Sequence, residues 1–134
     1  MAERGTDAGG PAPAPVMPYA RSTDLAGVRA FVRSRAETLG LPPERTDLLV
    51  LAVSELATNT LQHTAGGGRV RVWADADDVL CEVVDHGAAR VFGRVMPAAG
   101  EIRGRGLAIV ERVCDEVSST VGPTGTVVLL RLRR

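Results

Sequence analysis

The sequence lacks lysine altogether, and it has few cysteines and aromatic residues: two cysteines, one tryptophan, one tyrosine and two phenylalanines. All 16 basic residues are arginines, which excludes a Walker A loop or a Schiff base, because each of these depends on lysine. Cys81 and Cys114 have no other cysteine near them in the sequence. This isolation favours two reduced, buried thiols over a metal site.

Charge and hydropathy also lack any extreme. The 16 acidic residues balance the basic ones, so there is no electrostatic reason to expect nucleic acid or an anionic membrane surface as a partner. The mean hydropathy is +0.07. No apolar run approaches about 18 residues, and the N-terminus has no apolar stretch of the kind that signal peptides carry. We therefore expect a cytoplasmic protein that does not enter a membrane.

The hydrophobic periodicity and the turn residues predict one α/β domain behind a tail. Residues 1–18 are mostly alanine, glycine and proline, so we expect a flexible tail there and a folded domain over 19–134. Helices are predicted over about 24–39, 43–64 and 106–115, and strands over about 16–21, 69–73, 79–84, 116–121 and 126–132. A sheet with one apolar face needs a helical layer over it. The pattern thus predicts an α/β sandwich, with a mixed, largely antiparallel sheet covered on one face by helices.

The second predicted helix carries two polar residues within an apolar stretch, LLVLAVSELATNTLQHT, over 48–64. Glu55 and Asn59 are one helical turn apart and therefore project from the same face. A carboxylate and a carboxamide among leucine, valine and alanine call for a ligand or a polar network. A glutamate can polarise a hydroxyl, and the oxygen of an asparagine side chain is a hard ligand suited to Mg²⁺.

Two glycine-containing turns follow further along the chain. Asp85 ends a buried strand and Gly87 permits an unusual turn, so the carboxylate can accept a hydrogen bond from an exocyclic amine such as that of adenine. The segment Arg103-Gly104-Arg105-Gly106-Leu107 precedes a helix, where free backbone N–H groups and arginines can bind an anion. Together with Glu55 and Asn59, these turns predict a nucleotide site.

The order and spacing of these three segments resemble the GHKL superfamily of ATP-binding domains, which includes the histidine kinases. VSELATNTLQHT resembles the N box of that superfamily, VVDHG resembles its G1 box, and EIRGRGLAIVERVCDEV resembles its G2 region and the helix after it. Within the superfamily the sequence is most similar to the small anti-sigma-factor serine kinases of bacteria. The resemblance covers about residues 19–134 and implies the α/β sandwich of the GHKL (Bergerat-type) fold.

The resemblance implies specific roles for the residues of these motifs. Asn59 would ligate a Mg²⁺ ion at the phosphates of ATP, and Glu55 would be the general base that activates the substrate hydroxyl. Asp85 would bind the adenine amine, with Gly87 shaping that pocket and Thr126 supporting the contact. The phosphates would lie against a lid over 88–103 and the segment at its end, namely Arg103, Gly104, Arg105, Gly106 and Leu107.

The resemblance also implies partners, and it leaves alternatives. The expected partners are a sigma factor and an anti-sigma-factor antagonist that is phosphorylated on a serine or threonine, with a homodimer possible. One alternative is a nucleotide-binding module of the same fold that binds a partner without transferring phosphate. Another is an N-acetyltransferase, because Arg103 to Ala108 also fits an Arg-x-x-Gly-x-Ala loop that holds the pyrophosphate of acetyl-CoA. That reading leaves Glu55, Asn59 and Asp85 without roles.

Overall fold

The computed structural model describes residues 14–63, 66–86, 108–122 and 125–134. Within these ranges the elements follow the order β1 (Val16–Tyr19), a 3₁₀ turn (Ser22–Asp24), α1 (Leu25–Thr38), α2 (Pro43–His63), β2 (Gly68–Asp75), β3 (Asp78–Asp85), α3 (Ala108–Val113), β4 (Glu116–Gly122) and β5 (Gly125–Arg133). Residues 1–13 of the predicted tail and the whole predicted lid over 88–103 lie outside the described residues. β1 begins at Val16, so residues 16–18 of the predicted tail belong to the sheet.

The described strands form one sheet in the order β1-β2-β3-β5-β4. Every pairing between them is antiparallel, including that of β3 with β5, which brings the last strand into the middle of the sheet. The predicted sandwich is confirmed, and the part of the sheet that the structure describes is purely antiparallel rather than mixed.

The hydrophobic core lies between one face of this sheet and helices α1 and α2. Both helices contribute apolar side chains at helical spacing, and the three central strands contribute alternate residues. The buried members of the core include Val28, Val32, Ala36, Leu49, Val53, Leu56, Val70, Val72, Cys81, Val83, Val128, Leu130 and Leu132. Cys81 is fully buried, Cys114 is half-buried, and both thiols are free.

β1 ends earlier than the sequence predicts, because the Asp24 side chain binds the backbone N–H groups of the two residues that follow the strand. Its Oδ2 atom accepts hydrogen bonds from the N–H groups of Ala20 at 2.8 Å and of Arg21 at 3.0 Å. Those groups therefore start the turn into α1 instead of extending the strand to residue 21. At its far end α1 stops before Gly40, which has a φ of 89°, and Pro43 opens α2 as predicted.

The end of α3 shows the same competition between local and long-range hydrogen bonds. The N–H of Cys114 still bonds to the carbonyl of Val110 at 3.0 Å, whereas that of Asp115 bonds to the carbonyl of Arg131 at 2.9 Å. The helix consequently ends at Val113, before the predicted residue 115, and β4 begins at Glu116. None of the helices within the described ranges is both long enough and apolar enough to cross a membrane.

Candidate functional site

A single row of cross-strand neighbours marks one end of the sheet. Tyr19 pairs with Gly68, Gly68 pairs with Asp85, and Asp85 pairs with Thr126. Directly opposed residues place their side chains on the same face of a sheet, so the side chains of Tyr19, Asp85 and Thr126 lie side by side. Of the predicted site residues, Asp85 and Thr126 are thus brought together by strand register, although 41 positions separate them in the sequence.

Thr126 carries a polar atom with no partner at this end of the sheet. Its side-chain oxygen is buried and has no hydrogen-bond partner among the described residues, whereas Asp85 beside it is half-buried. Buried polar atoms in native proteins are nearly always hydrogen-bonded, and an exception needs an explanation such as a missing ligand. A hydroxyl and a carboxylate next to each other can together receive a heterocycle that carries an amine and a ring nitrogen.

The second half of α2 holds the other two described site residues. Asn59 is only 9% exposed, and its Nδ2 atom is buried without a hydrogen-bond partner in the described part of the chain. Glu55 lies one turn earlier on the same face and is half-buried. A carboxamide that is buried and not fully bonded is costly in the absence of a ligand, by about 1–3 kcal/mol.

Tyr19 connects α2 to the row across the sheet. Its hydroxyl donates a hydrogen bond of 3.2 Å to Oγ1 of Thr60, the residue that follows Asn59. Burial raises the pKa of the Tyr19 phenol to about 12, a rise that the bond to Thr60 opposes and the Asp85 carboxylate reinforces. Tyr19 is not among the predicted site residues, because a single tyrosine at the end of a short strand belongs to no motif.

The described residues fit the metal that the resemblance implies. They include no cluster of three or more histidine, cysteine, aspartate or glutamate side chains that could hold a metal alone. Mg²⁺ typically takes few protein ligands and completes its shell with water and substrate phosphates, so one amide oxygen is a sufficient contribution. Rotation of the Asn59 amide by 180° exchanges its oxygen and nitrogen, which would present the oxygen at the position of the unpaired atom.

The remaining predicted site residues lie outside the described residues. These are Gly87 and the segment before α3, namely Arg103, Gly104, Arg105, Gly106 and Leu107. Their roles stay predictions. The described candidate site therefore consists of Glu55, Asn59, Asp85 and Thr126, with Tyr19 and Thr60 behind them.

Comparison with known proteins identifies the family and the fold. The family model described as the histidine kinase-like ATPase domain matches residues 19–132. No curated protein matches the sequence. One similar solved structure is that of the RsbU and RsbW domains of Rv1364c from Mycobacterium tuberculosis, with a TM-score of 0.70 and 22% identity over 92% of this chain and 33% of that chain.

A second similar structure is the histidine kinase domain of the EL346 blue-light activated histidine kinase from Erythrobacter litoralis. Its TM-score is 0.56 at 23% identity, over 83% of this chain and 59% of that chain. This chain thus spans about a third and three-fifths of the lengths of the two proteins, and the similarities concern the fold. The family match argues against the N-acetyltransferase alternative. The family match covers nearly all of the predicted domain, and the chain belongs to the family of histidine kinase-like ATPase domains.

Proposed function

We propose that this chain binds ATP with Mg²⁺ and acts as a regulatory serine/threonine protein kinase of the anti-sigma-factor type. The observation that carries the proposal is a pair of buried polar atoms, Nδ2 of Asn59 and Oγ1 of Thr126, that have no hydrogen-bond partner among the described residues. They lie on the two elements, α2 and β5, where the family resemblance expects the metal and the adenine to bind. The similarity to a structure that contains an RsbW domain supports the proposed type.

The described residues divide into a base-binding group and a phosphate-side group. Asp85 would accept a hydrogen bond from the adenine amine, and Thr126 would satisfy its own hydroxyl through the same ring or an intervening water molecule. Asn59 would hold Mg²⁺, which neutralises charge on the phosphates when it is bound. The predicted anion-binding segment at 103–107 would supply arginines and backbone N–H groups.

The proposed reaction transfers the γ-phosphoryl group of ATP to a serine or threonine hydroxyl of an antagonist protein. A bond forms between that hydroxyl oxygen and the γ-phosphorus, and the bond from this phosphorus to the β,γ-bridging oxygen breaks, which releases ADP. The hydroxyl proton passes to the carboxylate of Glu55 as general base. Phosphoryl transfer needs mainly positioning and charge neutralisation, and a half-buried carboxylate one turn from Asn59 suits that task.

The proposed partners are a sigma factor, an anti-sigma-factor antagonist and a second copy of this chain, with which it would form a homodimer. The antagonist would present to Glu55 the serine or threonine hydroxyl that receives the phosphoryl group. The balance of 16 acidic and 16 basic residues fits protein partners better than nucleic acid.

The test compares wild type with Asn59→Ala and Glu55→Gln, and uses Glu44→Gln as the matched control. Glu44 is an exposed glutamate in the first turn of the same helix, so its substitution changes the charge without touching the site. Thermal shifts with ATP and Mg²⁺ measure binding, because a ligand at a hundredfold excess over its Kd stabilises the folded state by about 2.7 kcal/mol. Transfer from labelled ATP to a candidate antagonist measures catalysis.

We expect Asn59→Ala to lose the Mg²⁺-dependent stabilisation by ATP. Glu55→Gln should keep that stabilisation and lose about 10²- to 10⁴-fold in transfer rate, whereas Glu44→Gln should behave like wild type. An Asn59→Ala protein that binds Mg·ATP as tightly as wild type would contradict the metal site. Tight ATP binding without transfer to any antagonist would favour the non-catalytic binding module instead.

A further inference from the structure

The side chain of Tyr19 lies next to Gly68, a residue that has no side chain of its own. Tyr19 pairs with Gly68 in the sheet, and Gly68 pairs with Asp85 on its other side. A Cβ atom built on Gly68 would lie 2.8 Å from the Tyr19 hydroxyl oxygen and 3.0 Å from its Cζ atom. The phenol therefore lies against the position that a side chain at 68 would take, a position that the backbone oxygen of Val84 also blocks. Asp85 is the next residue of the same row on the far side of Gly68.

The same hydroxyl is bonded to the helix that carries Asn59. It donates to Oγ1 of Thr60 at 3.2 Å, and the Thr60 hydroxyl in turn donates to the carbonyl of Leu56 at 3.1 Å. Both hydroxyls are buried, with Tyr19 at 3% and Thr60 at 5% exposure. A continuous chain of hydrogen bonds thus runs from the base-binding end of the sheet into the turn of α2 between Glu55 and Asn59.

This chain of hydrogen bonds has one direction at neutral pH. The Tyr19 phenol is protonated at neutral pH and donates to Oγ1 of Thr60. The Thr60 hydroxyl already donates to Leu56 and offers Tyr19 an acceptor. Reversal would require Thr60 to give up its bond within the helix, so the separation between α2 and the Asp85 row is held by directed bonds as well as by packing.

We propose that Tyr19 is a positioning residue of the nucleotide site, which ties Asn59 on α2 to Asp85 on the sheet and thereby sets nucleotide affinity and base selectivity. The inference rests on the proposed nucleotide-binding function. Tyr19 is 3% exposed, and it acts through its bond to Thr60, the neighbour of Asn59 in the chain, and through its place in the row that contains Asp85. A site whose parts lie on separate elements loses affinity when the support that holds their separation is removed.

The test uses Tyr19→Phe, which keeps the ring over Gly68 and removes the hydroxyl, together with Thr60→Val and the double variant. Thr46→Val is the matched control, because Thr46 is also fully buried on α2 and its hydroxyl bonds to the carbonyl of Leu41 at 3.2 Å, near the start of the helix. Each protein is titrated with Mg·ATP and Mg·GTP. Wild type is first shown to bind ATP by thermal shift.

We expect Tyr19→Phe to weaken ATP binding about five- to tenfold, the size expected for one lost hydrogen bond, and to lower the ratio of ATP to GTP affinity. The double variant should bind ATP no more weakly than either single variant, because all three variants lose the same hydrogen bond between Tyr19 and Thr60. Thr46→Val should unfold at a lower temperature with the affinity ratio unchanged. Equal losses of selectivity in Tyr19→Phe and Thr46→Val would overturn the positioning role and leave a general stability effect.

A spectroscopic measurement makes the test independent of affinity. Tyr19 is the only tyrosine in the sequence, so a protein labelled with [ζ-¹³C]tyrosine gives one resonance from this residue. Saturating ATP should move that resonance in wild type and leave it in place in Asp85→Asn. A resonance that ignores ATP, in a protein that thermal shift shows to be saturated, would overturn the inference alone. A wild type that binds no nucleotide would overturn the proposed function as well.

Discussion

Two arginine–carboxylate pairs of this protein differ in their exposure to solvent and therefore in their contribution to stability. Arg71 and Glu82 face each other across β2 and β3, with 3.1 Å between Nε and Oε1, and their side chains are only 13% and 9% exposed. The Arg71 guanidinium also lies 5.5 Å from the centre of the Trp73 ring. Arg33 and Asp47 approach more closely, at 2.8 Å, but their side chains are 45% and 67% exposed. Solvent screening makes the closer pair the weaker one.

Arg71→Ala should consequently destabilise the protein far more than Arg33→Ala does. Removal of Arg71 leaves the Glu82 carboxylate buried without its cation, for which we expect a loss of about 3–5 kcal/mol in the free energy of unfolding. Removal of Arg33 exposes Asp47 to water and should cost less than about 1 kcal/mol. Urea denaturation of the two variants measures both values. Equal losses would show that the sheet pair is as well solvated as the helix pair.

At the scale of elements, one glycine of a strand is required by the structure, whereas one glycine of a helix is not. Gly125 opens β5 with a φ of 141°, and a Cβ atom there would lie 1.8 Å from the Asp85 carbonyl oxygen. Gly27 lies inside α1, where the nearest atom to an added Cβ is the flexible end of Met17 at 2.9 Å. The first position needs glycine for both conformation and space, whereas the second has only a movable neighbour.

Gly125→Ala should therefore lower the free energy of unfolding by about 1–3 kcal/mol, since β5 must move away from β3. Gly27→Ala should be neutral or stabilising by up to about 1 kcal/mol, because alanine is the better helix former. The same chemical change serves as its own control in the two elements. Thermal unfolding of both variants provides the comparison, and a Gly27→Ala protein as unstable as Gly125→Ala would refute the account of Met17.

For the whole molecule, groups with shifted pKa values limit stability at both ends of the pH range. Burial raises the pKa of Tyr19 from 10.0 to about 12 and that of Cys114 from 9.0 to about 12, and it raises that of Cys81 as well. Backbone N–H groups hold the pKa of Asp24 and of Asp115 below the ordinary 3.8. The raised groups bind protons more tightly in the folded state, and the lowered ones bind them less tightly.

Stability should thus fall as the pH rises above 9.0, because the unfolded chain then loses thiol and phenol protons that the folded protein retains up to about 12. Stability should also fall as the pH drops below 3.8. There the unfolded chain binds protons at Asp24 and Asp115, whereas the folded protein keeps both carboxylates ionised to a lower pH. Urea midpoints across the pH range measure both limbs. Tyr19→Phe should flatten the alkaline limb above pH 10, and a midpoint that increases between pH 9 and 11 would contradict the assignment.

The part of the site that residue spacing alone predicted is the part whose geometry is local, whereas Thr126 was assigned by the family resemblance. Glu55 and Asn59 share a helix face because of helical periodicity alone, and the apolar spacing of 43–63 was enough to place them. The role of Tyr19 depends on the register of four strands and on the absence of a side chain at position 68, and no pattern within the sequence around it carries that information. The end of β1 was misplaced because a nearby side chain, the Asp24 carboxylate, binds backbone N–H groups that the strand would otherwise use.

The sequence by itself determined the class of fold, the helices, and the polar pair on α2, because each depends on spacings within a few turns of chain. Only the tertiary structure decided that β5 lies beside β3 and that Asp85 therefore meets Thr126. Several strands of this protein alternate apolar and polar residues in the same way. Their sequence patterns are therefore compatible with any order of these strands in the sheet. The order follows from the packing of one core against α1 and α2, a property of the whole chain.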